Sequence, residues 1–516
     1  MATETAIAVK GAGAAPMTGS SLWSAAVFLA VANFLAVLDM TIVNVSVPNI
    51  AGGLAVPPSE GTWVITSYSV AEAIIVPLTG WLVGRLGTVR IFVASIIGFG
   101  ALSALCGLAP TLDLLVLFRI LQGLFGGLLA PLSQTLLMQI FPRRQQTVAM
   151  TIWGVTTLVA PVLGPVLGGV LCDKFGWPAI FWVNVPIALV CGPLVWRMLR
   201  SQETATKKLP IDAVGLVLLI VWVGALQIVL DTGRDHDWFA SMRITVLALV
   251  AAVGFVAFLI WELTDRDPAV SLRVFRHRGF SVSMVNLAVT MGALFAIIVL
   301  TPLWLQNQMG YTATWAGYAS AGLGISAMLV SPVVSQLAAR LDPRQLIFAG
   351  VLWLGAVTLM RSAGTAQMTF WQVSWPIFLT GIGLPFFLVP LITTALGSVE
   401  TEEIAAAAGL LNFIRSLSGA VATSIVTTVW ENEAIRAHAQ LVGVLHGVPG
   451  MIAILTHHGY SMAQAASLIN QALGAQAMMI STNRVFFYCA VALAVAALAI
   501  WIAPKPKEVA DMPAGH

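Results

Sequence analysis

The sequence is poor in charge. Asp, Glu, Lys and Arg make up 9% of its 516 residues, where soluble domains carry roughly a quarter. With 59% hydrophobic residues and a mean hydropathy of +0.92, the chain could not cover the polar exterior that a soluble fold needs. A cytosolic enzyme, a nucleic-acid module and a disordered protein are excluded. A net charge of only +3 gives no electrostatic reason for a nucleic-acid partner. Cysteine is scarce too. Cys106, Cys172, Cys191 and Cys489 are scattered and form neither a disulfide framework nor a metal-ligand cluster. No phosphate-cradling GxxxxGK[ST] stretch occurs, so ATP is not the expected energy source.

Long apolar runs, by contrast, are plentiful. A helix crossing the bilayer core needs about 20 apolar residues. Candidate spans lie at 24–48, 62–84, 90–109, 114–138, 147–171, 179–199, 212–230, 243–262, 280–305, 314–338, 346–361, 371–395, 404–429 and 484–503. A transmembrane β-barrel would show alternating segments of about 10 residues instead. The first run is too long for a signal peptide, carries Asp39 and is followed by further spans. The expected fold class is an all-α polytopic membrane protein with 14 transmembrane helices. With the N-terminus inside, most of the 25 lysines and arginines fall in inside loops and tails. This bias places both termini in the cytoplasm.

Two halves of the chain align. Val47-Pro48 matches Thr301-Pro302, the loop Gly84 to Arg90 matches Ala339 to Arg344, and Ala130-Pro131-Leu132 matches Val389-Pro390-Leu391. Spans 1–6 and 9–14 therefore read as two copies of a six-helix unit, with spans 7 and 8 inserted. The implied division is a tail at 1–22, a first half at 23–200, a linker with two inserted helices at 201–278, a second half at 279–503 and a tail at 504–516. Transporters are commonly built this way, with substrate near the midplane between the repeats.

Four stretches then resemble the major facilitator superfamily, in particular its 14-span drug:proton antiporters. Leu38-Asp39-Met40-Thr41-Ile42-Val43-Asn44-Val45-Ser46-Val47-Pro48 resembles the LDxTxVNVAxP signature of that branch. Gly80 to Arg90 resembles the superfamily's loop 2–3 motif, and Arg119-Ile120-Leu121-Gln122-Gly123 its RxxQG motif. Ala160 to Gly169, containing Pro161, Gly164, Pro165, Gly168 and Gly169, resembles the antiporter motif typical of exporters. The resemblance covers about 20–505. It implies export of hydrophobic or amphipathic toxic compounds against protons by alternating access. It implies no cofactor beyond the proton gradient and a bacterial inner-membrane location. Its implied partners are a membrane-fusion adaptor of the EmrA type and an outer-membrane channel of the TolC type. A dedicated exporter of fatty acids or another single metabolite is the alternative. Two positions depart from the pattern: Gly84 stands where the loop motif has Asp, and Glu72 sits mid-span where a neutral residue is expected.

The charges well inside spans are Asp39, Glu72, Arg119 and Arg415. Each costs several kcal/mol unless paired or facing water. At about 1.5 Å per residue, Asp39, Glu72 and Arg119 can share one level. Burial raises a carboxylate's pKa and a nearby arginine lowers it, so these three form the expected proton-coupling site. Arginine does not deprotonate, which leaves Arg119 an electrostatic role. A static salt bridge locking the bundle is the competing reading. For the substrate cavity we expect apolar and aromatic residues with a few polar groups: Asn44, Gln122, Gln134, Trp153, Asn286, Phe295, Phe386, Phe387, Asn412 and Arg415. Pro161, Gly164, Pro165, Gly168 and Gly169 should kink their span and let helices approach closely. Segment 430–483 reads as a long outside loop with an amphipathic helix over 462–481. That helix would contact the adaptor, cap the exit or lie on the membrane.

Overall fold

Hydrocarbon offers no partner to an open N–H or C=O, so each apolar run closes its own backbone bonds as helix. The architecture is that of a computed structural model, which describes residues 17 and 19–503 except 143–144, 207–209, 211, 266–267, 339, 366 and 445–447. The tails at 1–16 and 504–516 lie outside the described residues, as do the loop cations Arg143, Arg144, Lys207, Lys208 and Arg266.

The first half contains α1 (Ser20–Gly53), α2 (Trp63–Leu86), α3 (Thr88–Gly107), α4 (Leu112–Ile140), α5 (Gln146–Phe175) and α6 (Ala179–Gln202). Next come α7 (Ala213–Thr232) and α8 (Met242–Thr264). The second half contains α9 (Arg278–Asn307), α10 (Ala313–Ala338), α11 (Pro343–Arg361), α12 (Phe370–Gly397), α13 (Ile404–Val444) and α14 (Met462–Ala499). Thirteen of these are long and apolar enough to cross a membrane as single helices. The remaining one, α5, qualifies as two segments, Gln146–Pro161 and Val166–Phe175, bent by 49° across the Pro161–Pro165 stretch. No strand occurs among the described residues. Fourteen crossings return the chain to its starting side, called the terminal face below.

The repeat seen in the sequence is also a repeat of packing. In the first half α1 packs on α5 and α6, α2 on α4, and α3 on α4 and α6. In the second half α9 packs on α13 and α14, α10 on α12, and α11 on α12 and α14. The seam between the halves follows the same symmetry. There α5 meets α10 and α12, while α13 meets α2 and α4. Helix α7 flanks this seam by packing on both α2 and α13. Trp222 sets its ring edge-on to Phe413 at 5.9 Å, and Ser424 Oγ donates to the Leu230 carbonyl at 2.9 Å.

Near the terminal face the halves are in close contact. A Cβ on Gly80 would lie 2.7 Å from Ala406, and one on Gly409 would lie 2.7 Å from the Val76 carbonyl. That carbonyl belongs to a 3₁₀ turn, Val76–Leu78, built around Pro77. Proline has no N–H, so the regular ladder is broken there.

Two sequence expectations change. Segment 430–483 is not chiefly a loop: α13 continues to Val444 and α14 starts at Met462, with a short helix at Val448–His457 between them. The expected amphipathic helix is the first half of α14 and stands on α13. Arg484 donates to Glu433 at 2.5 Å, Trp430 Nε1 to Thr482 Oγ1 at 2.9 Å, and His438 pairs with Asn470 at 3.0 Å. A Ser461–Gln464 capping box starts α14, so its polar first turns remain helical.

Second, the carboxylate missing at Gly84 is supplied elsewhere. Glu203, just past α6, accepts the backbone N–H groups of Val89 and Arg90 at 3.0 Å each. The acid thus caps the N-terminus of α3, where orphan donors and the helix dipole favour an anion. A Cβ on Gly87, whose φ is +90°, would collide with Glu203 within 2.5–2.7 Å.

Candidate functional site

Four helices of the first half bring polar groups to one buried point. Asp39 comes from α1, Ser103 and Cys106 from α3, Arg119 and Gln122 from α4, and Asn184 from α6. Arg119 Nη1 donates to Asp39 Oδ2 at 2.6 Å, and the two side chains are 1% and 0% exposed. The same nitrogen donates to Gln122 Oε1 at 2.7 Å, and Arg119 Nε donates to the Val64 carbonyl at 3.1 Å. Asn184 Nδ2 donates to Asp39 Oδ1 at 2.6 Å and to Ser103 Oγ at 3.0 Å. Gln122 Nε2 reaches Asp39 Oδ1 at 3.4 Å. The guanidinium also lies 4.2 Å from the Tyr68 ring centre. A desolvated pair is tolerable only with such a full set of partners.

Asn184, Ser103 and Tyr68 were not among the sequence candidates. Their only sequence signal is a polar atom in an apolar run. Gln122, expected in the substrate cavity, belongs to this cluster instead, because three residues along α4 it shares a face with Arg119.

Glu72 does not join them. It projects from α2 toward α4, where its Cα and Cγ stand 3.1 and 3.0 Å from the Cβ site of Gly127, and Arg119 and Asp39 act on it without a bond. Its side chain makes no hydrogen bond or ion pair among the described residues. The cation with the strongest field at Glu72 is Arg415 of α13, ahead of Arg119. Arg415 lies 5.4 Å from the Trp153 ring, and its Nη1 is buried without a hydrogen-bond partner. Glu72 on the first half and Arg415 on the second thus act on each other across the seam without an ion pair among the described residues.

Beside them, Asn412 Nδ2 of α13 donates to Gln134 Oε1 of α4 at 2.6 Å. Gln134 Nε2 and Asn412 Oδ1 are buried and unpartnered. Trp153 is fully buried and donates to Ser133 Oγ at 3.0 Å. These residues form the polar patch at the centre of the seam.

Other expected cavity residues serve packing. Asn286 Nδ2 donates to the Ala496 carbonyl at 2.5 Å, which ties α9 to α14. Phe387 is fully buried, Phe386 presses on Gly350 of α11, and Phe295 on Gly419 of α13. Asn44 is exposed. In each case hydropathy gives depth along a helix but not the neighbour that the side chain turns toward.

The small residues of α5 split similarly. A Cβ on Gly164 would overlap Thr41 of α1, and one on Gly168 would lie 3.1 Å from the Ile42 carbonyl. Close approach requires both glycines. Gly169 has nothing within 4 Å and does not serve this contact. Pro161 ends the first segment of the bent helix. The Pro165 side chain lies outside the described residues.

Comparison with known proteins gives a consistent picture. The family model of the Major Facilitator Superfamily matches residues 29–423. The chain is 40% identical over 498 residues to the Multidrug export protein EmrB of Escherichia coli K12, covering 95% of this chain and 97% of that one. It is also 40% identical to the Fatty acid resistance protein FarB of Neisseria gonorrhoeae, covering 95% and 98%. Among solved structures it is similar to the human organic anion transporter MFSD10, with a TM-score of 0.56, 14% identity and coverage of 92% and 100%. At that identity the likeness concerns the fold alone.

Proposed function

The chain belongs to the major facilitator superfamily, and from that premise we propose that it is a multidrug efflux transporter that exchanges hydrophobic or amphipathic compounds for protons. The observation that carries the coupling is the fully buried Asp39–Arg119 pair. Arginine cannot give up its proton, so the exchangeable site is the carboxylate. A proton reaching Asp39 replaces Arg119 as its counter-charge and frees the guanidinium to turn elsewhere. Glu72 and Arg415 sit on opposite halves, and their mutual field changes as residues 23–200 rock against 279–503. Gly164 and Gly168 hold α1 and α5 in close contact, which lets the first half move as one body while α5 slides on α10 and α12.

Substrate is placed at the seam, on the unsatisfied amides of Gln134 and Asn412 and the buried Nη1 of Arg415. The protein is multi-pass, and we place it in the bacterial inner membrane with both termini cytoplasmic, following the loop cations. We further propose that it works with a membrane-fusion adaptor of the EmrA type and a TolC-type channel. The α13–α14 extension beyond the apolar spans is the part that would meet them.

Export dedicated to fatty acids is the second reading, favoured by the 40% identity to a fatty acid resistance protein. Voltage separates the cases. One charge crossing 100 mV is worth about 2.3 kcal/mol, so exchange of one proton for a monovalent cation ignores the potential and exchange for an anion does not. The test is substrate-induced proton release from purified protein, with hydrophobic cations and hydrophobic acids compared. Release should vanish in Asp39→Asn. Release that survives Asp39→Asn but is lost in Glu72→Gln would move the carrier to Glu72, and no release with any compound would refute proton exchange for that panel.

A further inference from the structure

Arg119 and Arg361 lie among the same four helices of the repeat, one in each half, but among the described residues only Arg119 has an anion beside it. Arg119 lies among α1, α3, α4 and α6 and meets Asp39 at 2.6 Å. The matching helices of the second half, α9, α11, α12 and α14, surround Arg361. Its Nη2 donates to Thr301 Oγ1 at 2.5 Å, and its guanidinium lies 4.5 Å from the Phe486 ring centre. Arg361 has no ion pair among the described residues.

A cavity of about 540 Å³ runs past Arg361 between these helices, a size typical of sites for small organic ligands. Trp304, Met368, Trp375 and Phe486 line it. Its mouth lies at the face opposite the termini, where α11 ends and α12 begins. Trp371 and Trp375 stand there 75% and 57% exposed. An aromatic belt anchoring the bundle in the interface accounts for the tryptophans. It does not account for a part-buried guanidinium that lines an apolar cavity with no anion beside it among the described residues, a place where an arriving anion would make a charge-assisted bond.

We propose that this cavity binds an anionic amphiphile. A carboxylate or phosphate head would take the planar fork of Arg361, and the acyl chain would lie along Trp304, Met368, Trp375 and Phe486. The site lies inside the second half, away from the seam, and does not depend on the efflux reading. Two sources share this chemistry, a free fatty acid and a phospholipid of the outer leaflet.

The test is saturable binding of radiolabelled oleate to the full, delipidated chain in uncharged detergent. Wild type should bind oleate and should bind methyl oleate, which lacks the charge, about tenfold more weakly or worse, the order of one charge-assisted contact. Arg361→Gln should lose the same factor, and Arg361→Lys should keep part of the affinity. Trp375→Ala, which leaves the cation in place, should weaken oleate and methyl oleate together. Displacement by phosphatidylglycerol at equal mole fraction would identify the occupant as lipid; resistance to it would identify a free carboxylate. Equal binding of oleate and methyl oleate, or wild-type oleate affinity in a monodisperse Arg361→Gln protein, overturns the proposal. So does the absence of saturable binding.

Discussion

Asn412→Ala removes one side of the only side-chain bond described between α13 and α4, and its effect can be worked out from the contacts. Gln134 is fully buried and its Nε2 already lacks a partner. Taking away Asn412 Nδ2 strands Oε1 as well. A buried polar group left unpaired costs about 1–3 kcal/mol. That cost falls on the state in which the halves are closed near the terminal face, since water reaches Gln134 when they part. The balance should shift about 5- to 150-fold toward opening at that face. Thr79 reports the shift. It is fully buried where Gly409 of α13 presses on α2, and cysteine is close to threonine in size. In a Thr79→Cys protein with the native cysteines replaced, alkylation by N-ethylmaleimide should accelerate by that factor when Asn412→Ala is added. Replacing both Gln134 and Asn412 by leucine should return the rate toward its starting value, because two apolar groups leave nothing unpaired. An alkylation rate that Asn412→Ala leaves within a factor of about two would refute the reasoning, for it would mean that the bond does not distinguish the two states.

Gly164→Val should lower the melting temperature and abolish transport, because its Cβ overlaps Thr41 and overpacking costs about 1–3 kcal/mol. Thr41→Ala should recover part of the loss, and wild-type melting with full transport would count against the tight contact. Glu203→Gln keeps the size but halves the capping power at the start of α3. A loss of about 1 kcal/mol is expected in thermal unfolding. The exposed Arg90, 3.8 Å from Glu203, should add little, so Arg90→Gln should leave the melting curve almost unchanged.

Hydropathy revealed most of the fold. Each apolar run became a helix because the bilayer permits little else, and the Val47-Pro48/Thr301-Pro302 match points to α1 and α9, which pack alike in the two halves. In the 430–483 segment the helix over 462–481 is legible, whereas the run of α13 to Val444 and the helix Val448–His457 are not, because low hydropathy does not by itself end a helix. The segment's alanine-rich turns and the Ser461–Gln464 box keep it helical where hydropathy is low. The site was legible where charge is rare. Asp39 and Arg119 stand out in any apolar run. Asn184 does not, since nothing in its neighbours says that α6 turns it toward α1. Glu203 was invisible for a related reason: its role depends on the end of α6 arriving beside the start of α3, a meeting that only the packing of α3 on α6 determines.

Helix α13 runs for 41 residues without interruption, or about 60 Å, roughly twice the thickness of the hydrocarbon core. Its inner half carries Asn412 and Arg415 near the midplane, and its outer half is clasped to α14 through Glu433 and Arg484. A rod of that length acts as a lever. A tilt of about 10° about the midplane, too small to break the packing of α13 on α9, would swing its tip by about 7 Å. Sub-ångström events at the buried charges would thus be amplified into a displacement that a partner outside the membrane can feel, and binding at the tip would push back on the charges by the same linkage.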